Sequence, residues 1–283
     1  MTESVTLFEM GPRDGLQNEK RPIATDDKIK LIDLLSGCGF TKIETTSFVS
    51  PKWVPQMADA ADVMAGINRR PGIHYAVLTP NLRGYQGAKA SKADEVAIFG
   101  SASEGFSQKN INCSIAESLE RFKPVAEAAA ADEIAVRGYV SCVADCPYDG
   151  PTAPEKVAEV ATALLAMGCY EISLGDTIGS GTPERIGQML DAVLDVVPAG
   201  QLAGHYHDTR NRALENVAVS LEKGLRTFDG AVGGLGGCPY APGAKGNVDT
   251  LAVNRLLVEK GYETGLDPDR LESAANFARS LRS

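Results

Sequence analysis

Short β-rich runs alternate with amphipathic helical runs from one end of this chain to the other, and that alternation limits the fold more than any other feature. The strand candidates are residues 5–10, 42–48, 74–79, 95–100, 135–143, 169–177, 202–209 and 227–234. Helical spacing predicts helices over 27–37, 55–68, 81–90, 115–131, 154–167, 183–197, 211–223 and 247–260. Thr25 or Asp26 can cap the first of these, Ser114-Ile-Ala-Glu117 and Thr182-Pro183 read as capped starts, and Gly37, Gly168 and Gly224 stand where helices should stop. A strand with its crossover helix takes roughly 30–40 residues. About eight such units fill the chain, which favours an α/β fold of the closed (β/α)8 TIM barrel kind over an open doubly wound sheet. A six-unit sheet would leave two units unplaced, and no G-x-G-x-x-G follows the first strand. Residues 267–281 read as an extra C-terminal helix. No linker divides the chain, so residues 1–283 are expected to form a single catalytic barrel domain.

The formal net charge of −9 and the lack of a basic block argue against nucleic acid or an anionic membrane as the main partner. No run approaches the length of a spanning helix, and the N-terminus MTESVTLFEM has no basic-then-apolar layout and no Arg-rich presequence. A cytoplasmic protein is expected. The cysteines at 38, 113, 142, 146, 169 and 238 are scattered, and in such a compartment the default is free thiols. The spacing of Cys142 and Cys146 is too weak to assign a metal.

In a (β/α)8 barrel the C-terminal ends of the strands form the active face, and the unusual polar residues fall there repeatedly. Two of only three histidines, His205 and His207, stand at i and i+2 in the seventh strand, so their imidazoles share one face. Two half-buried histidines bonded within the sheet are the plain alternative to a metal pair. Arg13 and Asp14 follow the first strand, Glu44 lies in the second with Ser47 at its end, and Asp176 closes the sixth. Asp14 is the best-placed carboxylate to join the imidazoles, and Asn247 can add an amide oxygen. Such a mixed nitrogen and oxygen set suits Mg²⁺, Mn²⁺, Co²⁺ or Zn²⁺. Arg13 can hold a developing oxyanion with its planar fork, or serve as a structural ion pair with Glu44 or Asp176. Residues 233–247 are too glycine-rich for a helix or strand and read as a mobile active-site loop with Cys238 near its middle.

At these residues the chain resembles the 3-hydroxy-3-methylglutaryl-CoA lyase family, within the metal-dependent barrel superfamily that also holds the isopropylmalate and homocitrate synthases. The resemblance runs through GPRDGLQNE (11–19), IETTSFVSPKWVPQM (43–57), KNINCSI (109–115), GYVSC (138–142), ISLGDTIGSGTP (172–183), HYHDT (205–209) and GGLGGCPYAPGAKGN (233–247). The second and the last are far more specific to the lyase branch than RDGLQ. The condensing synthases typically have Asn-Asp where this chain has Asp208-Thr209. The resemblance implies retro-Claisen cleavage to acetyl-CoA and acetoacetate, with a related lyase on another 3-hydroxyacyl-CoA, or a condensing acyltransferase, as the alternatives. It implies a divalent cation, Mg²⁺ or Mn²⁺, held by Asp14, His205, His207 and Asn247. Arg13 then matches the catalytic arginine, Glu44 and Asp176 the acids that support it and the metal, and Cys238 the loop cysteine linked to proton transfer. Leucine breakdown would fit such an activity. A homo-oligomer is expected.

For an acyl-CoA partner, Gln17, Lys20, Ser47, Lys52 and Asn110 are the candidate binding residues, with Lys109 and Arg83 as further cations near strand ends. One stretch departs from the family pattern. After HDT the family usually has a small or aromatic residue, then Gly, then Gln or Met; here Arg210-Asn211-Arg212 follows. Asn211 could cap the next helix as a harmless change, or the added charge could bias substrate choice.

Overall fold

The computed structural model describes residues 2–19, 21–238 and 241–282, with the backbone alone for 237–238 and 241–245. Its principal strands are β1 (Thr6–Glu9), β2 (Lys42–Ser47), β3 (His74–Leu78), β4 (Glu95–Ser101), β5 (Ala135–Ser141), β6 (Glu171–Asp176), β7 (Leu202–Tyr206) and β8 (Thr227–Gly230). They close in the order β1-β8-β7-β6-β5-β4-β3-β2, and every neighbouring pair is parallel. The fold is the (β/α)8 barrel that the alternation predicts. Around it run α1 (Thr25–Ser36), α2 (Ala60–Gly66), α3 (Leu82–Ala90), α4 (Glu104–Ile111), α5 (Ile115–Ala131), α6 (Pro154–Ala166), α7 (Pro183–Leu194), α8 (Ala213–Glu222), α9 (Thr250–Glu259) and α10 (Pro268–Ser280).

The two-residue period of a strand sorts the core into two layers. Leu7, Ile43, Val77, Val96, Val140 and Ile172 face outward and pack with the apolar faces of the helices. Phe8, Met10, Ala76, Ala97 and Tyr139 face the lumen. The outer layer is continuous and apolar. The inner layer is short and lies between charged side chains, with Lys42, Glu95, Arg137 and Glu171 toward the N-terminal ends of the strands and Glu44 and His205 toward the C-terminal ends.

Local chemistry explains most boundaries. Ser114 and Glu117 form a reciprocal capping box at the start of α5. Thr182 accepts from the Arg185 amide, with Pro183 opening α7. Gly168 and Gly224 have φ of 100° and 96°, in the left-handed region that ends a helix. The extra helix α10 is capped by Asp267, 3.1 Å from the amides of Asp269 and Arg270, and packs on α1 and on the turn Val232–Gly234.

Several expectations are corrected. Ala24, with no side-chain cap, precedes α1; Thr25 instead donates to Asp59 at 2.7 Å. Helix α4 is absent from the sequence reading, although Ser103 caps it through the Phe106 amide at 3.1 Å. Residues 55–68 divide into a single turn at Pro55–Met57 and α2. Residues 247–249 are extended rather than helical, because His207 and Asn247, and Ala231 and Asp249, form bridges there. The glycine-rich stretch is not wholly irregular either. Gly237–Cys238 and Ala241–Lys245 form a short antiparallel ladder. Among the described residues, no helix is long and apolar enough to cross a membrane.

Candidate active site

Because Tyr206 and Phe228 face the helices, His205 and Asp229 face the lumen. The parallel register sets Asp229 of β8 beside His205 of β7. Asp229 Oδ2 is 3.0 Å from His205 Nδ1, which fixes the imidazole ring and leaves Nε2 3.8 Å from Asp14 Oδ2. Asp14 reaches this point from a π-helical turn, Gly11–Gly15, that leaves the end of β1. Gly11 is required there: a Cβ on it would sit 2.6 Å from Glu9 Oε1, the atom that accepts its amide at 2.7 Å. Glu9 Oε1 also accepts from Val232 N at 2.9 Å, and Oε2 accepts from Thr250 Oγ1 at 2.7 Å. One buried carboxylate therefore ties the turn of Arg13 and Asp14 to the root of the glycine-rich stretch.

His207 completes the cluster. One ligand atom from each of Asp14, His205 and His207 lies within 4.8 Å of the others, and all three residues are largely buried. The Asn247 Nδ2 donates to Asp14 Oδ2 at 2.7 Å, delivered by its bridge to His207. Gln17 Nε2 donates to Asp14 Oδ1 at 3.0 Å. Burial alone would raise the Asp14 carboxyl, but Arg13 and the two imidazoles hold it at about 2. Burial lowers His207 to about 4, helped by His205, so its imidazole is neutral near pH 7. Its Nδ1 is buried and has no hydrogen-bond partner.

Arg13 donates to Glu44 through Nε and to Asp14 through Nη1. Burial opposes the charge, yet Glu44 and Asp14 keep the guanidinium protonated. The Tyr139 hydroxyl lies 3.2 Å from Glu44 Oε1 and 3.1 Å from Arg137 Nη1. Arg137, fully buried, pairs with Glu171 Oε1 at 2.8 Å and with Asp229 through Nη1 and Nη2 at 3.1 and 2.8 Å. A ring of polar contacts thus runs from Asp14 through Arg13, Glu44, Tyr139, Arg137 and Asp229 to His205. Sequence reading missed Glu9, Arg137, Tyr139 and Asp229. The available signal was a charged or phenolic side chain at an inward position of a barrel strand.

Asp176 does not join this ring. It accepts from the amides of Gly181 and Ser180 at 2.9 and 3.3 Å, and burial raises its carboxyl to about 6. It shapes the turn after β6, and no bond between it and Arg13 is seen among the described residues. A cleft of roughly 1160 Å³ opens over the cluster, lined by Arg13, Asp14, Tyr139, His205 and His207 at its buried end, and by Gln17, Ser47, Trp53, Lys109, Asn110 and Arg121 among others. Lys52 and Arg83 are exposed and do not line it. Lys20 and the Cys238 side chain lie outside the described residues.

The HMGL-like family model matches residues 4–278. The chain belongs to the HMGL-like family. It is 57% identical over 275 residues to the mitochondrial hydroxymethylglutaryl-CoA lyase of Gallus gallus, covering 97% of this chain and 92% of that protein. Among solved structures, an HMG-CoA lyase from Brucella melitensis shares 64% identity with a TM-score of 0.98, covering 99% of each chain. An HMG-CoA lyase from Acenitobacter baumannii, solved in complex with coenzyme A and 3-methylmalate, shares 36% identity with a TM-score of 0.93 over 99% of this chain and 91% of that one. The HMGL-like barrel therefore matches these enzymes along almost its whole length.

Proposed function

We propose that this HMGL-like protein cleaves 3-hydroxy-3-methylglutaryl-CoA to acetyl-CoA and acetoacetate by retro-Claisen chemistry. The observation that carries the reading is the convergence of Asp14, His205 and His207 with Arg13 at the buried end of a cleft with room for an acyl-CoA. The donor set fits a divalent cation: an ionised carboxylate, a neutral imidazole with an unpartnered buried nitrogen, and a second imidazole oriented by Asp229. Asp14, His205 and His207 would hold it, with Asn247 as a fourth ligand through its amide oxygen. The cation, Mg²⁺ or Mn²⁺, would acidify the tertiary hydroxyl of the substrate.

The residues of the chain supply the rest. Asp14 or His205 takes the hydroxyl proton. The C2–C3 bond breaks, the C3 fragment leaves as the ketone of acetoacetate, and the electron pair passes to the thioester as an enolate. Arg13, kept cationic and aimed by Glu44, stabilises the enolate oxygen. Cys238 is proposed to protonate C2, which restores the proton balance and yields acetyl-CoA. Gln17, Ser47, Lys109 and Asn110 line the path that the CoA thioester would take. The buried free thiols at Cys38, Cys113, Cys142, Cys146 and Cys169 support a reducing compartment, and the cytosol is the proposed one. A homo-oligomer and a place in leucine breakdown belong to the same proposal.

Purified protein, stripped with a chelator and returned to Mg²⁺ or Mn²⁺, should form acetoacetate from 3-hydroxy-3-methylglutaryl-CoA only in the presence of the metal. If no metal-dependent acetoacetate appears, the reading is wrong for this substrate, and 3-hydroxyacyl-CoA analogues in the same assay test the related lyase.

A further inference from the structure

Between β5 and α6 the chain makes a small hairpin that takes no part in the chemistry above. Asp145–Cys146 and Gly150–Pro151 pair antiparallel, with Pro147, Tyr148 and Asp149 at the tip. The tip is fixed from within, because Cys146 Sγ accepts the amides of Tyr148 and Asp149 at 3.3 Å each. One side of the base is fixed as well. Asp145 Oδ2 accepts from Ser180 Oγ and from Arg185 Nη1, both at 2.6 Å, and Arg185 Nη2 donates to Ala144 O at 2.6 Å. The hairpin is thereby anchored to the turn after β6 and to the start of α7.

Its other side meets α4. Asp149 Oδ2 accepts from the Gly105 amide and from Ser103 Oγ, each at 2.7 Å. The first amides of a helix have no partner inside it. Here Ser103 meets the Phe106 amide, and a carboxylate from another loop meets the Gly105 amide. Negative charge is favoured at that end of a helix. The Ser103 hydroxyl first, and then the Gly105 amide, hold the Asp149 carboxyl below its ordinary value. Beneath this contact Phe106 packs against Cys142 and Cys146. Glycine at 105 lets the carboxylate approach: a Cβ there would lie 2.2 Å from Asp149 Oδ1 and 2.7 Å from its Cγ.

The eight residues of α4 are too few to make a stable helix in water alone. Phe106, Lys109, Asn110 and Ile111 of this helix line the cleft. Contacts that hold α4 therefore set the place of one cleft wall.

We propose that Asp149 is a positioning residue for substrate binding: from the anchored hairpin it braces α4, and through α4 it holds one wall of the cleft in place. This rests on the acyl-CoA reading above. Asp149→Ala should raise KM for 3-hydroxy-3-methylglutaryl-CoA severalfold, with kcat within about twofold and Mn²⁺ affinity unchanged, the pattern of lost ground-state binding. Gly105→Ala attacks the same contact from the helix side. Alanine favours a helix over glycine, so this change would strengthen α4 if only helix stability mattered. Its methyl displaces the carboxylate, and the brace predicts the same rise in KM. The double variant should be no worse than either single one, because both break one contact. Hydrogen exchange should quicken at the α4 amides in both variants, with α5 unaltered.

A wild-type KM in either single variant, or additive losses in the double one, overturns the brace and leaves the lyase reading standing. If the wild type cleaves no substrate, the lyase reading falls. Exchange at the α4 amides then decides whether Asp149 holds the helix, and unaltered exchange in both variants refutes it.

Discussion

His205 Nδ1 and Asp229 Oδ2 are 3.0 Å apart because the register of β7 and β8 sets the two residues side by side. The same carboxylate takes Arg137 through both terminal nitrogens and Ser173 Oγ at 2.7 Å, so it cannot turn away from the ring. Such a partner sharpens a ligating histidine by fixing its tautomer and orientation. Asp229→Asn should therefore weaken Mn²⁺ binding by about 10–100-fold, read by calorimetry. Stability will fall as well, because Arg137 loses one of its two buried carboxylates. Glu171→Gln separates the effects, since Glu171 pairs with Arg137 without touching His205. It should lower Tm with metal affinity unchanged. Equal weakening by both variants would show that the effect passes through stability alone.

Arg13→Met should lower kcat by roughly three orders of magnitude while Mn²⁺ affinity changes little, if its cation acts on charge that develops in the transition state. Arg13→Lys keeps the charge but not the fork that meets Glu44 and Asp14 at once, and should recover only part of the rate. Near-normal turnover in Arg13→Met would refute the role.

The outline of the barrel was legible because its two periods are strong. Outward positions such as Val96 and Ile172 are apolar throughout, and breaks such as Gly168 coincide with left-handed turns. The cluster of Asp14, His205 and His207 was legible because strand ends converge in this fold. What could not be read is what depends on register. Whether Asp176 turns toward Arg13 or folds back on the Gly181 amide is decided by a turn five residues long, and no spacing distinguishes the two. Arg137 and Asp229 lie 92 positions apart and meet only across the lumen. Arg137 is the third residue of β5, well before the C-terminal end of that strand.

Glu9 gives the fold a specific pH dependence. Burial raises its carboxyl to about 7, against the pull of Val232, Thr250 and Gly11. A group raised in the folded state stabilises fully below its unfolded value, near 4.5, and loses that contribution as pH rises through about 7. The neutral acid can donate from Oε2 to Thr250 while Oε1 still accepts two amides, and glutamine can copy that arrangement. Urea denaturation from about pH 5 to pH 8 should thus show the wild type losing ground against Glu9→Gln, by up to about 3 kcal/mol. A gap that moves in favour of the wild type as pH rises would mean that the carboxylate is the working form.

Within the departure at Arg210-Asn211-Arg212, the backbone accounts for Asn211. Asn211 has φ of 56°, and its amide donates to Asp208 O at 3.0 Å. That is the left-handed region, where glycine is free of strain and asparagine is the best tolerated of the residues with a side chain. Asn211 is not the cap of α8: Arg212 occupies that position without a side-chain bond, and Asp208 Oδ1 accepts the Ala213 amide at 3.3 Å. None of residues 210–212 lines the cleft. Asn211→Gly should hold stability within about 0.5 kcal/mol, whereas Asn211→Ala should lose about 1 kcal/mol by forcing an ordinary side chain into that region. Arg210→Ala and Arg212→Ala should leave unchanged the ratio of kcat/KM for the methyl substrate to that for a bulkier 3-alkyl homologue. A shift in that ratio would place these cations in acyl selection despite their distance from the lining, and would make the departure functional rather than conformational.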